Sequence, residues 1–387
     1  MKNIFCSFFA FCSILISAQG KRFFENGEVQ LRNPVEKINL NYANELPFVK
    51  VTINGKMYNF LFDSGAPTVI SQTIYKELNL EKKHRSKVKD SQKNKHEQIF
   101  TELPEMTIDH VVFKKIGAIV LDLSSAELGC LKVDGLIGAN QMAKLFWRIN
   151  YSENSLEATK DLSLFDLSGY DITIPFLTQT QKTPMIETKI LDKNIKLTFD
   201  TGASGRLRIA DQNFDSKKAT RAVETFGTSA VGAFGAGKPV AGYIFRAEDM
   251  TLGNKNFPNQ LIATGGSDLI GNEFFKDFAF IFDWKNSKIY MKRIKETPAK
   301  LETFGFSYRF IDLKPVVTFV FKEDNFPLKI GDSIISINNI NLENLDQDGA
   351  CHYTLNRIER DQETIDIKIK RDGKILDVTM KKKEYLQ

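Results

Sequence analysis

Two short stretches, Phe60-Leu-Phe-Asp-Ser-Gly-Ala66 and Leu197-Thr-Phe-Asp-Thr-Gly-Ala203, share one pattern: an apolar run ending in aspartate, then a hydroxyl residue, glycine and alanine. Alone, Asp-Ser-Gly after hydrophobic residues is a turn, because Asp hydrogen-bonds locally and glycine takes positive φ. Two copies whose flanks also match need another explanation. Setting each residue against the one 137 positions later aligns Pro47 with Pro184, Val49 with Ile186, Ile53 with Ile190, Phe62 with Phe199 and Asp63 with Asp200. A shift of 133 then aligns Leu136-Ile-Gly138 with Leu269-Ile-Gly271, and Ile149-Asn-Tyr151 with Phe282-Asp-Trp284. Internal repetition of this kind marks a duplicated unit. Residues 38–160 and 170–294 read as two copies, differing slightly in loop length.

Each copy is β-rich. Val49-Lys-Val-Thr-Ile53 alternates, Asn54-Gly55 is a two-residue turn, and Met57 to Phe62 resumes an extended chain. Residues 278–282 and 288–293 read as a second hairpin of this kind, broken at Trp284-Lys-Asn-Ser287. One short helix is expected, over 73–80. Without long helices between the strands, a parallel α/β fold is disfavoured.

The pattern apolar–apolar–Asp–(Ser/Thr)–Gly–Ala, followed about 70–75 residues later by apolar–apolar–Gly, resembles the aspartic proteases of the pepsin and retropepsin group. The resemblance spans roughly residues 38–294. It implies a mainly β, two-lobed, pseudo-twofold acid-protease β-barrel fold in which each lobe supplies one aspartate. It also implies that the Ser64 and Thr201 hydroxyls bond across the pseudo-dyad, and that the strands ending at Gly138 and Gly271 support the two loops. Gly65 and Gly202 would let the backbone approach its symmetry mate, where a Cβ would clash. Ser71 and Ser204 are candidates to bond the outer carboxylate oxygens.

The chemistry explains the pairing. Hydrolysing a peptide without metal or covalent nucleophile needs a water made basic and a carbonyl made electrophilic. Two carboxyls close enough to repel cannot both ionise, so one keeps a proton. The charged one takes a proton from water, and the protonated one donates to the carbonyl oxygen. Asp63 and Asp200 are therefore the expected catalytic residues, titrating as a unit, with no metal and no cofactor. Two other readings stay open: exposed turns in a duplicated binding fold, and a protease fold that has lost activity.

The 387 residues suggest two or three domains, and 42% hydrophobic with 26% charged content suits a soluble globular chain. A net charge of +5 implies no particular partner, and nucleic acid is not expected. Residues 1–18, with Lys2, an apolar run and Ala18, read as an export signal, so a periplasmic or secreted location is expected. No later stretch is apolar enough to span a bilayer. The remaining Cys130 and Cys351 read as ordinary part-buried thiols rather than a disulfide framework.

The glycine-rich segment Phe226-Gly-Thr-Ser-Ala-Val-Gly-Ala-Phe-Gly-Ala-Gly237 fails as a phosphate cradle, because Lys238 precedes Pro239. It is a candidate flap, with Gly232, Phe234 and Gly235 at its tip, or else a plain flexible loop. Its counterpart in the first copy, 81–98, carries seven Lys/Arg with His84 and His96 and reads as a solvated face. Neither has the flap tyrosine typical of pepsins.

After a polar linker, 295–303, comes Leu328-Lys-Ile-Gly-Asp-Ser-Ile-Ile-Ser-Ile-Asn338, which resembles the core of a PDZ domain. The resemblance implies a small β-sandwich with two helices over 304–387, a helix at 347–357, and paired strands 364–370 and 374–381 turning at Asp372-Gly373. Ile334, Ile335 and Ile337 would form a buried strand, and 311–321 a strand interrupted by Pro315. Phe304-Gly305-Phe306 would be the loop holding a ligand's terminal carboxylate. The whole then divides into signal 1–18, extension 19–37, lobe one 38–165, lobe two 166–294, linker 295–303 and PDZ-like domain 304–387. The partners expected are a peptide or protein substrate and a C-terminal peptide ligand.

Overall fold

Alternating burial along short strands joined by tight turns builds a chain that is mainly β. The computed structural model describes residues 8–9 and 23–387, apart from Ser125, Thr220 and Ser229. The expected export signal lies outside these residues, except for a strand at Phe8–Phe9 that pairs in parallel with the strand Ala230–Gly232. Among the described residues no helix is long and apolar enough to cross a membrane.

In the first half, Leu46–Ile53 and Lys56–Asp63 form an antiparallel hairpin. Its turn is Asn54-Gly55, with φ of 49° and 76°, the left-handed pair that a two-residue hairpin needs. Gly135–Gly138 pairs in parallel with the outgoing strand and sets Gly138 opposite Asp63. The short helix forms over Gln72–Glu77, capped by Ser71, whose Oγ accepts from the Ile74 N–H at 3.2 Å. This corrects the proposed bond from Ser71 to a carboxylate.

The second half carries the same set of pairings. Pro184–Ile190 and Lys193–Phe199 form a hairpin, and Leu269–Ile270 runs parallel to its outgoing strand. Six strands join the halves in one sheet. At its centre Phe146–Asn150 pairs with Phe278–Asp283, setting Trp147 opposite Phe282. One apolar cluster runs through both halves and holds Phe62, Trp147, Phe199, Phe280 and Phe282. Each aspartate-bearing strand is thus backed by buried aromatic rings. Phe62 lies 4.8 Å from Trp147, and Phe199 stacks 4.0 Å from Phe275.

The third unit has its own core, built on Tyr308, Val317, Leu328, Ile334, Ile337, Ile365, Ile367 and Ile369. Ile335 faces the other side of its strand and is only half-buried. The single strand expected over 311–321 is a hairpin instead, Phe306–Ile311 with Lys314–Phe321, turning at Asp312 and Leu313 with φ of 49° and 63°. Pro315 sits opposite Phe310 beside the turn, where one neighbouring strand flanks it, so its missing N–H leaves no second ladder unpaired. Where two helices were expected, one α-helix forms, Gln347–Leu355, followed by a 3-10 turn, Ile358–Asp361. The end of the polar linker is part of this unit, since Leu301–Thr303 pairs with Lys383–Tyr385.

Cys130 and Cys351 form a disulfide, which corrects the reading of two free thiols. The bond joins the end of the first half's helix Ala126–Cys130 to the third unit's helix, across 221 positions. On its other side the third unit pairs with the second half, Lys314–Phe321 lying antiparallel to Ala222–Gly227. Gly227, at φ 131°, has no room for a Cβ, which would meet the Thr318 carbonyl oxygen at 2.2 Å. The third unit is thus fastened to both halves. Cutting a cross-link that closes so long a loop frees the unfolded chain, so Cys351→Ser is expected to cost about 2–4 kcal/mol. Denaturant titrations of the variant and of reduced wild type check this. Both should unfold earlier, and by the same amount.

Candidate active site

The two aspartates meet across the boundary between the halves. A Cβ placed on Gly65 would lie 2.4 Å from Asp200 Cγ, and one on Gly202 would lie 2.3 Å from Asp63 Cγ. Each carboxyl therefore rests against the glycine of the opposite loop. Hydroxyls tie the loops together reciprocally. The Ser64 N–H donates to Thr201 Oγ1 at 2.9 Å and the Thr201 N–H to Ser64 Oγ at 3.0 Å. Ser64 Oγ donates to the Phe199 carbonyl at 2.6 Å, and Thr201 Oγ1 to the Phe62 carbonyl at 2.7 Å. Four bonds link two turns that are 137 residues apart in sequence.

Each carboxylate is also oriented by its own loop. Asp63 Oδ1 accepts from the Gly65 N–H at 2.7 Å, and Asp200 Oδ1 from the Gly202 N–H at 2.9 Å. Among the described residues, no donor bonds the Oδ2 atoms. The two carboxyls are close enough to shift each other's protonation, and two carboxyl oxygens bond only through a shared proton.

Both groups are almost fully buried, Asp63 at 0% and Asp200 at 1% exposure. Burial pushes the Asp63 carboxyl up to about 6, against the bonds from Gly65 and Ala66 that favour its charged form. Asp200 is raised well above the carboxylate range, by burial first and by the charge of Asp63 second. The folded chain thus holds these protons more tightly than the unfolded chain. Their contribution to stability is fully present below the ordinary aspartate value of 3.8 and is lost as pH rises through about 6. Asp63→Asn and Asp200→Asn should each flatten that fall. Melting curves between pH 4 and pH 7, run about one unit apart, measure it.

Gly138 and Gly271 lie where the backbone crosses behind the loops. A Cβ on Gly138 would meet the Pro67 carbonyl carbon at 2.0 Å, and one on Gly271 the Ala203 oxygen at 2.6 Å. The residues after them stitch the loops in place. Ala139 N–H donates to the Ala66 carbonyl and Asn272 N–H to the Ala203 carbonyl, both at 2.8 Å. Asn140 and Asn272 had no separate sequence signal beyond standing next to the repeated Leu-Ile-Gly. Asn140 Oδ1 accepts from the Thr68 N–H at 2.8 Å, and Asn272 Nδ2 donates to the Thr201 carbonyl at 2.7 Å. Tyr151, stacked 4.3 Å from Tyr42, donates to Asn272 Oδ1 at 2.8 Å.

Two hairpins converge above the pair. One is Lys82–Lys89 with Lys95–Ile108, whose first part was read as a solvated charged face; most of Lys82–Lys89 is exposed or half-buried, but Asp90 and Ser91 at the tip are buried. The other is Ala222–Gly227 with Val240–Ala247, whose connection carries the small hairpin Ala230–Gly232 and Gly235–Ala236. Ala230 packs with Ala203 and Leu269, next to the Asp200 loop. Val231 and Ala233 join the first half's apolar cluster with Ala66 and Val69, next to the Asp63 loop. The glycine-rich segment, with Gly232, Phe234 and Gly235, therefore spans both aspartate loops. A cavity of about 270 Å³ beside it is lined by Gln72, Asp122, Leu128, Val231 and Phe234.

Phe304-Gly305-Phe306 stands at the entry to the third unit's strand Phe306–Ile311. Gly305 takes φ 76° and its carbonyl accepts from the Phe321 N–H at 2.7 Å, while both phenylalanines are buried. Among the described residues, no cluster of His, Cys, Asp and Glu could hold a metal ion.

Residues 49–140 match a family model described as aspartyl protease. The match takes in the Asp63 loop and the strand ending at Gly138; Asp200 lies beyond it. No curated protein matches the chain.

Proposed function

We propose that the chain is an aspartic endopeptidase of two duplicated lobes, 38–165 and 166–294, in which Asp63 and Asp200 together activate one water. The observation that carries this reading is the reciprocal seating of each carboxyl against the opposite glycine, with the loops locked by Ser64 and Thr201. The pair shares one proton. Its charged member takes a proton from water as the oxygen attacks the peptide carbonyl, and its neutral member gives its proton to the carbonyl oxygen. A tetrahedral diol results. Its collapse breaks the C–N bond and passes a proton to the leaving nitrogen, which restores the pair. The family match over the first half supports the reaction class.

A peptide bearing a tetrahedral secondary alcohol in place of the scissile carbonyl imitates that diol and should bind far better than substrate. Such a compound should raise the melting temperature of wild type and leave Asp200→Asn unmoved. An equal rise in both would count against the pair.

The third unit, in this reading, is PDZ-like and takes an extended C-terminal peptide as an added strand. Among the described residues Phe306–Ile311 pairs with one strand alone, Lys314–Phe321, and a ligand strand added on its other edge would displace Arg357, which donates to the Tyr308 carbonyl at 2.7 Å. A labelled peptide with a free C-terminus should bind the full chain, and its C-terminal amide should not. Export from the cytoplasm fits the Cys130–Cys351 disulfide, since such bonds persist in oxidising compartments.

A further inference from the structure

The tip of the first half's hairpin, 90–94, reaches across to the second half and grips the glycine-rich hairpin through one carboxylate. Asp90 is 3% exposed, though it stands in a run of lysines. Its Oδ1 accepts from the N–H groups of Gln92 at 3.0 Å and Asn94 at 2.9 Å, which shapes the tip. Its Oδ2 accepts from the Phe234 N–H at 2.9 Å, a bond between the two halves. Asn94 Nδ2 adds a longer contact to the Ala236 carbonyl at 3.4 Å. Gly232 is pressed against the same oxygen, since a Cβ there would lie 2.4 Å from Asp90 Oδ2. The His96 ring packs 4.7 Å from the ring of Phe234.

The segment so held is the one that packs against both aspartate loops, through Ala230 on one side and Val231 and Ala233 on the other. With the two aspartates at 0% and 1% exposure, a peptide reaches them after this hairpin lifts. We propose that Asp90 is a positioning residue, a latch that holds the 230–236 hairpin closed over the Asp63–Asp200 pair. The proposal rests on the endopeptidase reading for its consequence in catalysis, but the latch itself is a property of the fold.

A charge-assisted bond to a backbone N–H is roughly twice as strong as a neutral one. Its loss should favour the open hairpin by about tenfold. Hydrogen exchange of the amides at 232–236 reads this directly. In Asp90→Ala exchange there should quicken about tenfold, while the amides of Lys193–Phe199 keep their rate. Asp90→Asn retains an acceptor of the same shape and should restore part of the protection. Gly232→Ala attacks the latch from the other side and should quicken exchange as well, which covers the case in which Asp90→Ala does not fold. In peptide hydrolysis, Asp90→Ala should lower KM by up to about tenfold with kcat nearly unchanged, because the latch opposes the opening that substrate entry requires and touches no reacting atom. Unchanged exchange at 232–236 in these variants overturns the latch. Faster exchange in a protein that cleaves no peptide leaves the latch standing and counts against the endopeptidase reading instead.

Discussion

Asp63→Asn and Asp200→Asn are each expected to lower peptide hydrolysis by about 10³-fold, with the double variant no worse than either single one. Each carboxyl is oriented by its own glycine N–H and faces the other, so the two share one proton and work as a unit. An amide at either position cannot exchange protons with water or substrate. The surviving carboxyl, relieved of a charged neighbour, then titrates alone. Two independent contributions would multiply in the double variant, and a single proton-sharing unit would not. Steady-state kinetics on the three variants decides between these outcomes. Melting curves run alongside should show the Asn proteins folded and, above pH 6, no less stable than wild type, because a buried charge has been removed.

Gly202→Ala is expected to be nearly as damaging to activity and worse for stability. The added methyl would stand 2.3 Å from Asp63 Cγ, inside van der Waals contact with a buried group. It cannot swing away, since Gly202 N–H is bonded to Asp200 and the loop is tied to its partner by Thr201. The loops must part instead. Overpacking a buried site costs about 1–3 kcal/mol, and displacing a catalytic group by about 1 Å costs on the order of 10²-fold in rate. Gly65→Ala should act alike, at 2.4 Å from Asp200 Cγ. Thermal unfolding and kcat/KM on the two variants measure both effects. Wild-type rates in either would mean that the loops do not sit this close in the working protein.

What the sequence made legible was local and repeated. The hairpin ending at Asp63, its turn at Asn54-Gly55 and the counterpart ending at Phe199 follow from alternation and turn chemistry, both read within a few residues. The meeting of the two Asp-x-Gly loops was legible because the repeat placed one on each copy. What stayed hidden depends on distant chain. Cys130 and Cys351 carry no spacing signal at 221 positions, and fold topology alone brings the helices that bear them together. The segment 81–98 looks like a solvated run, since five of its side chains are lysines or arginines within Lys82–Lys89, and nothing local marks Asp90 as buried. Its burial comes from a hairpin of the other half. Asn140 and Asn272 were equally silent, because a buried amide is recognised by the carbonyls and N–H groups it meets.

In the proposed function one carboxylate pair, shared between the halves, hydrolyses peptide bonds. The most direct measurement is digestion of a degenerate peptide library by the purified chain at pH 6–7, with wild type and Asp200→Asn run in parallel and products identified by mass spectrometry. Internal cleavage is expected from wild type and almost none from Asp200→Asn, although Asp63 and the aspartyl-protease match at 49–140 are intact in that variant. Cleavage at equal rates by both, or by neither, would contradict it.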